Sequence, residues 1–443
     1  PPPPPPPPPH LPPPPARAWP RAPPGRAADR PPSLPPLLRA TSSLQLGSGT
    51  GVQAPDDVVL VFAGRTPMCK ARRGGLRDTP VDDMVAACLS AATEATRVRP
   101  EDVGDVIMGS VLGSGSQRAT ECRVGMFLAG FPEKVPVHTV NRQCSSGLQA
   151  IAHAAANIKA GYYKVAIAGG VESMSTNPMT WEGGANPRIE ENDMAAACLI
   201  PMGITSENVA SRFNVTREEQ DAAAARSHAR ASAAQKAGKF QAEIIPITVK
   251  QVDKKSGEEK VVTLRDDDGI RHGISQEKLG KLPAAFAPGG STTAGNSSQV
   301  TDGCSVCVLM SRAEAQRRGL PALGTFRSFS VVGLDPAIMG IGPQFAIPEA
   351  VKMAGLDLKD IDLFEINEAF ASQFTHCAKA LDLDMGRVNV NGGAIALGHP
   401  LGCTGSRCTA TLLHEMARRG DRYGVVSMCI GSGMGAAAVF ERD

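Results

Sequence analysis

Val135-Pro-Val-His-Thr-Val140 runs into Asn141-Arg-Gln-Cys144-Ser-Ser-Gly147, and after residues with Leu148, Ile151, Ala155 and Ile158 at helical spacing the chain returns as Tyr163-Lys-Val-Ala-Ile-Ala-Gly169. Two apolar runs around an amphipathic helix make a strand–helix–strand unit, which predicts a largely parallel sheet with helices on its faces. The same grammar extends outward. Asp57-Val-Val-Leu-Val-Phe-Ala63 reads as a buried strand, and Asp105-Val-Ile-Met-Gly109 as another. Between them, Asp78-Thr79-Pro80 supplies the cap and first-turn proline for a helix from Val81 to Ala95.

An internal echo organises the rest. Val98-Arg-Pro-Glu-Asp-Val-Gly-Asp-Val-Ile-Met-Gly109 resembles Leu356-Asp-Leu-Lys-Asp-Ile-Asp-Leu-Phe-Glu-Ile-Asn367, each setting acidic residues before an apolar strand. The strand–turn–helix around Cys144 has a matching segment around His399. We therefore expect two related α/β halves, residues 56–173 (completed by about 300–321) and 322–443. Residues 174–299 are richer in charge, Met and Gly, fit neither half, and are expected to form an inserted loop domain. Residues 1–55 begin with nine prolines, and Pro and Arg dominate through Arg39. Such composition cannot bury enough apolar surface to fold, so the segment is expected to be a disordered leader, either a targeting segment or low-complexity sequence.

Composition narrows the function classes. Hydrophobic residues make up 42% and charged residues 20% of the 443, as in an ordinary globular protein. With 46 basic against 44 acidic residues there is no global field for nucleic acid or membranes, so a polyanion would bind only at a local site. No apolar run is long enough to span a bilayer. The eleven cysteines are scattered without zinc-ligand pairs, which predicts free thiols in a reducing compartment and no metal site. Cys304 and Cys307 form a CxxC inside a strand pattern, where period two sends the thiols to opposite faces.

Four constellations carry chemistry. Cys144 stands where a strand gives way to a helix, whose N-terminal dipole and free N–H groups are expected to lower its pKa. His399 sits in Asn389-Val-Asn-Gly-Gly-Ala-Ile-Ala-Leu-Gly-His-Pro-Leu-Gly-Cys-Thr-Gly405, a sharply bending segment where a neutral imidazole can take a proton from a thiol. A turn histidine held by hydrogen bonds is the alternative. No Gly-Lys-Ser/Thr follows, so this is not a P-loop. Val425-Val-Ser-Met-Cys429-Ile-Gly431 delivers a second cysteine into a glycine-rich turn whose N–H groups can hold an oxyanion. Asn367, in Glu365-Ile-Asn-Glu-Ala-Phe370, ends the echoed strand, where it also suits a helix cap.

Asn141-Arg-Gln-Cys144-Ser-Ser-Gly147, Asn367-Glu-Ala-Phe370, Gly398-His399-Pro400 and Cys429-Ile-Gly431 together resemble the active-site motifs of thiolases, over residues 56–442. Cys198-Leu-Ile-Pro-Met-Gly-Ile-Thr-Ser-Glu-Asn208 and Gly289-Gly-Ser-Thr-Thr-Ala-Gly-Asn-Ser-Ser298 resemble the peroxisomal 3-ketoacyl-CoA class. The resemblance implies duplicated α/β halves in five layers, αβαβα, with an inserted loop domain, and an assembly of two identical chains. It implies thiolytic cleavage of 3-ketoacyl-CoA by coenzyme A, a substrate, with no cofactor. In it Cys144 is the nucleophile, His399 its base, Cys429 the acid for the departing enolate and Asn367 the holder of a water at the enolate oxygen. The N–H groups of Cys144 and Gly431 form the oxyanion hole. Arg271 and His272 lie in the segment that contacts the nucleotide end, Ser298 lies near the pantetheine amide, and Phe286, Met202 and Phe370 line the acyl pocket.

Short-chain acetoacetyl-CoA thiolases carry His-Met where this chain has Pro201-Met202, which favours longer 3-ketoacyl chains. An acetoacetyl-CoA thiolase and a non-catalytic acyl-CoA or lipid carrier are the competing functions; the intact four argue against the carrier, and Cys429 against a ketoacyl synthase. The resemblance implies a peroxisomal (glyoxysomal) location, with the mitochondrion as alternative. No intact targeting signal accompanies it: His10-Leu11 matches the end of the Arg-Leu-x5-His-Leu signal, but Pro3 stands at its Arg. Cys198, four residues before Met202, is either a redox partner for Cys144 or a buried bystander.

Overall fold

The computed structural model describes residues 42–45, 51, 53–113, 115, 117–180, 184–253 and 256–443. The His10-Leu11 motif and the proline run lie outside the described residues.

The first half opens with β1 (Ser42–Gln45), β2 (Val58–Arg65) and the short β3 (Cys69–Lys70). Helix α1 (Val81–Thr96) starts directly after Pro80 and stops at Arg97, whose φ of 54° is left-handed. Its buried face of Met84, Val85, Cys88, Leu89 and Ala92 follows the 3.6-residue period. Then come β4 (Asp105–Gly109), α2 (Arg118–Leu128), β5 (Val137–Val140), α3 (Ser146–Lys159) and β6 (Val165–Ser173). The intervening stretch carries α4 (Asp193–Ala197), α5 (Met202–Arg212), α6 (Arg217–Lys236), the hairpin β7 (Ile247–Val252) with β8 (Glu259–Leu264), and α7 (Gln276–Gly280). Thr216 and Glu219 close a reciprocal capping box that starts α6. Strand β9 (Thr301–Ser311) and α8 (Arg312–Arg318) complete the first half.

The second half repeats the plan with β10 (Gly324–Gly333), α9 (Gly342–Met353), β11 (Leu363–Ile366), α10 (Ala371–Ala380), α11 (Ala394–Leu397), α12 (Thr404–Arg419), β12 (Tyr423–Ile430) and β13 (Met434–Glu441). The echoed sequences have the same structure: a 3-10 turn, Pro100–Asp102 or Leu358–Asp360, feeding β4 or β11. Even the neighbours correspond, since β4 pairs in parallel with β5, and Phe364 of β11 makes a parallel bridge to Val388.

The strand order is β11-β12-β13-β10-β2-β9-β6-β4-β5, with β1 on β10 and β3 on β9. Among the described strands only the pairings of β4 with β5 and β6, and of β11 with β12, are parallel. The expected largely parallel sheet is therefore corrected to a mixed one. In each half a long strand (β9, or β13 reached by a tight turn from β12) enters antiparallel, something the strand–helix–strand pattern does not announce.

Three cores separate the layers. The central core packs Leu148, Ile151 and Ala155 of α3 and Leu412, Leu413 and Met416 of α12 between the inner faces of both half-sheets. One outer core covers the first half-sheet with α1 and α2, and the other covers the second with α9 and α10. This is the five-layer αβαβα arrangement, with the half-sheets joined where Gly324 and Thr325 pair with Leu60 and Val59. Cys304 enters the outer core and Cys307 the central one, as period two requires.

The leader expectation needs one correction. Ser42–Gln45 pairs antiparallel with Ser328–Val331 of β10, where β2 has already left that edge after Thr325. Ser-Ser-Leu-Gln contains no proline and can satisfy the unpaired ladder groups of β10. A chain starting at Thr41 should keep the thermal midpoint of the full chain. One starting at Ala54 should melt a few degrees lower, by about 4 °C per kcal/mol at most for a chain of this size. Equal midpoints by calorimetry would show that β1 contributes nothing.

Candidate active site

Cys144 lies between β5 and Ser145, the cap of α3. The elbow that presents it is strained: Gln143 has a φ of 47°, a left-handed conformation that costs a β-carbon residue on the order of 1–3 kcal/mol. Local bonds hold it. Gln143 N donates to Asn141 Oδ1 at 2.9 Å, and Ser146 Oγ donates to Gln143 O at 2.6 Å while accepting from Arg142 N. The thiol is buried among Met174 and Leu401, with Ala71, Val111 and Leu112 around them. Burial pushes its pKa up to about 11, against the opposing hydrogen bonds from the N–H groups of Gly431 and Cys144 itself. The expected lowering is thus overturned: the helix terminus helps the thiolate, but desolvation in a closed pocket outweighs it. The resting group is a thiol, and any reaction through its sulfur would need a base.

His399 follows Gly398 at the end of α11 and is buried. Its two nitrogens have distinct partners. Thr404 Oγ1 donates its hydrogen to Pro400 O at 3.0 Å, so it accepts from His399 Nδ1 at 2.6 Å. Asn367 Nδ2, a donor only, faces Nε2 at 3.3 Å. Nδ1 therefore carries the proton, and Nε2 presents a lone pair. Burial, then repulsion from Arg407, lowers the imidazole pKa to about 3, which keeps Nε2 unprotonated at neutral pH. Asn367 is fixed at the end of β11 by its N–H to Ser427 O and by Gln373 Nε2 on its carbonyl.

Cys429, on β12, is buried beside Met339, Ala369 and Phe370. Burial raises its thiol pKa well above the ordinary value, and Cys144 lies close enough that a thiolate there raises it further. Gly431, two residues on, lies close enough for its N–H to favour a thiolate at Cys144. The structure thus brings Cys144, Cys429 and Gly431 together, and Asn367 onto His399.

Residues 58–313 match the pattern of the thiolase N-terminal domain, and residues 320–442 that of the thiolase C-terminal domain. The chain belongs to the thiolase family. The peroxisomal 3-ketoacyl-CoA thiolase 2 of Arabidopsis thaliana is 62% identical over 389 residues, 87% of this chain and 84% of that protein. The dimeric peroxisomal thiolase of Saccharomyces cerevisiae matches the fold with a TM-score of 0.81 at 41% identity, over 89% of this chain and 99% of that one. The human mitochondrial 3-ketoacyl-CoA thiolase in complex with CoA matches at 0.79 and 40%, over 88% and 99%.

On this thiolase scaffold the pocket residues fall into two groups. Met202, the first residue of α5, packs with Phe370 and Cys429, and Phe286 meets Phe370 edge-on at 6.1 Å between ring centres. Half-buried Ser298 donates its N–H to Ala369 O beside them. Arg271 and His272 are exposed in a separate cluster. There the Arg271 N–H donates to His228 Nδ1 at 3.1 Å, and His272 Nδ1 pairs with Ser232 Oγ at 2.8 Å. Burial, then Arg271, Lys70 and His272, depress the His228 pKa to about 4, which marks a local basic patch in a nearly neutral chain. Cys198 is not buried: it is exposed, with Sγ 3.9 Å from Ser432 O in the turn after Gly431. Among the described residues no group of His, Cys, Asp or Glu is arranged to hold a metal ion, and no helix is long and apolar enough to cross a membrane.

Sequence reasoning missed Thr404 and Gln299. Gln299 O accepts the His399 N–H at 3.0 Å, while its amide donates to Gly269 O and Ile395 O, tying the Arg271 segment to the His399 turn. Thr404→Val removes the acceptor that fixes the His399 tautomer. It should lower turnover roughly 10–100-fold, the usual cost of losing such a supporting partner. Steady-state kinetics on folded variant would decide, and unchanged turnover would remove Thr404 from the site.

Proposed function

We propose that this chain is a peroxisomal 3-ketoacyl-CoA thiolase, cleaving 3-ketoacyl-CoA with coenzyme A to acetyl-CoA and a shortened acyl-CoA, the last step of fatty acid β-oxidation. The unprotonated Nε2 of His399, set by Thr404, carries this reading, because a buried thiol whose pKa is pushed up to about 11 needs a base to become a nucleophile.

His399 takes the Cys144 proton as the sulfur attacks the 3-keto carbon. The bond between C2 and C3 breaks, and acetyl-CoA leaves as its enolate, which takes a proton from Cys429. The thiol of a second coenzyme A attacks the acyl-Cys144 thioester, its proton returns to Cys429, and the Cys144 thiolate regains the proton held on His399. The N–H groups of Cys144 and Gly431 stabilise the oxyanion on the carbon under attack, and His399 with Asn367 serves the enolate oxygen. No cofactor enters this sequence; coenzyme A is a substrate.

Residues 174–299 form the coenzyme A-binding insertion between halves 56–173 (with 300–321) and 322–443. The basic patch of Arg271, His272 and Lys70 takes the nucleotide phosphates, and Met202, Phe286, Phe370 and Ser298 take the pantetheine and acyl parts. The chain acts as a homodimer, as its yeast relative is dimeric. Consumption of a long 3-ketoacyl-CoA on adding coenzyme A, followed by loss of the absorbance of its magnesium enolate, tests the function. Turnover of acetoacetyl-CoA alone would favour the short-chain thiolase, and no turnover of either the carrier.

A further inference from the structure

Cys144 is carried by the first half of the molecule and His399 by the second, so the register between nucleophile and base depends on contacts that cross the halves. One buried carboxylate makes several of them, beside the bonds that Gln299 O and Thr301 Oγ1 accept from the His399 N–H. Glu172, near the end of β6, is 0% exposed. Its Oε2 accepts from Gly402 N and from Val111 N, each at 2.9 Å. Its Oε1 accepts from Leu112 N and Ser110 Oγ, each at 3.0 Å. Three N–H groups and a hydroxyl thus converge on one side chain, and they join the turn after His399 to the loop after β4.

The backbone around Gly402 is built for the same contact. A β-carbon on Gly170 would stand 1.9 Å from Gly402 O, and one on Gly147 in the Cys144 helix 2.7 Å from it. The turn therefore sits in a slot that only glycine walls leave open. Leu401 on the turn and Val111 and Leu112 on the loop all pack around Cys144, so the segments that Glu172 ties together are also walls of the nucleophile pocket. A buried carboxylate is costly to desolvate, and burial does push its pKa up. An apolar residue would fill β6 at less cost, but it would leave four donors unsatisfied.

We propose that Glu172 is a positioning residue for thiolysis, whose carboxylate fixes the His399–Gly402 turn against the Cys144 pocket so that base and thiol meet in register. The inference rests on the roles given above to Cys144 and His399. Its sign separates it from a simple charge effect. The Glu172 charge raises the Cys144 pKa, so removing the charge alone would ease ionisation and speed attack. Loss of register slows it. The other ionisable groups nearby are Arg118, 3.8 Å from Glu172 Oε1, Arg407 near His399 and Cys429 near Cys144.

Glu172→Gln keeps the shape but sets an amide NH2 against N–H donors, so part of the clamp is lost. The expected result is turnover lowered on the order of 10²-fold, the scale of a misplacement of about 1 Å, with KM for coenzyme A little changed. With the base out of register, Cys144 must ionise unaided, so variant turnover should climb about tenfold per pH unit on the alkaline side while the wild type stays nearly flat. Wild-type turnover in the variant, or a lowered turnover with a pH profile parallel to the wild type, would overturn the proposal. Should Glu172→Gln not fold, Gly402→Ala carries the test with the same readouts, since its β-carbon would stand 2.5 Å from Ser110 Cα and push the turn outward. A wild type without thiolysis would refute the functional reading itself, a result distinct from either.

Discussion

Cys144→Ser is expected to lose thiolysis by on the order of 10⁴-fold or more, the scale seen when a covalent nucleophile is removed and only binding and oxyanion contacts remain. The pocket makes the loss severe. Burial already holds the thiol near about 11, and a hydroxyl in the same place is far harder to ionise. Burial keeps His399 a neutral imidazole, and a hydroxyl gives up its proton to such a group far less readily than a thiol does. Both half-reactions should fail, so mass spectrometry should find no acylated enzyme after incubation with 3-ketoacyl-CoA, while the thermal midpoint stays close to wild type. An acyl adduct on the serine variant, or on another residue of the wild type, would displace Cys144 from the mechanism.

Asn367→Ala is expected to lower turnover by roughly 10²–10³, the cost of losing one preorganised group at a developing oxyanion. Asn367 Nδ2 faces the Nε2 of His399, and its backbone is held independently through Ser427 and Gln373. The truncation therefore removes the amide without releasing the strand end. The loss should appear in kcat, with KM for the 3-ketoacyl-CoA nearly unchanged, because in the proposed mechanism the amide serves the charge that develops during cleavage. A variant with wild-type kcat and a raised KM would make Asn367 a binding residue instead.

What the sequence disclosed depends on how local each signal is. The strand–turn–helix around Cys144 and the echo of residues 98–109 in 356–367 follow from periodicity and turn chemistry within a dozen residues, and the structure keeps both as drawn. The direction of β9 and β13 was not legible, since both arrive antiparallel through pairings distant in sequence or through a tight turn. The pKa of Cys144 failed for a related reason. The helix start is visible in the sequence, whereas the pocket that desolvates the thiol is assembled from Met174, Leu401, Val111 and Leu112, which come from both halves. Neither Thr404 nor Glu172 was singled out from the sequence, because their roles exist only once the His399 turn is docked.

The placement of β9 has a bearing on how the chain is made. It lies between β2 and β6, pairing Val59 and Val165 alike with Met310, yet it is synthesised after the whole stretch that carries α4 to α7. Until Thr301–Ser311 emerges, β2 and β6 each present an apolar, unpaired edge, and the first half cannot close its sheet. Pairings of such long range slow folding and prolong the exposure of sticky edges. A nascent chain thus spends the synthesis of its insertion as an open template, its two edges waiting for one late strand.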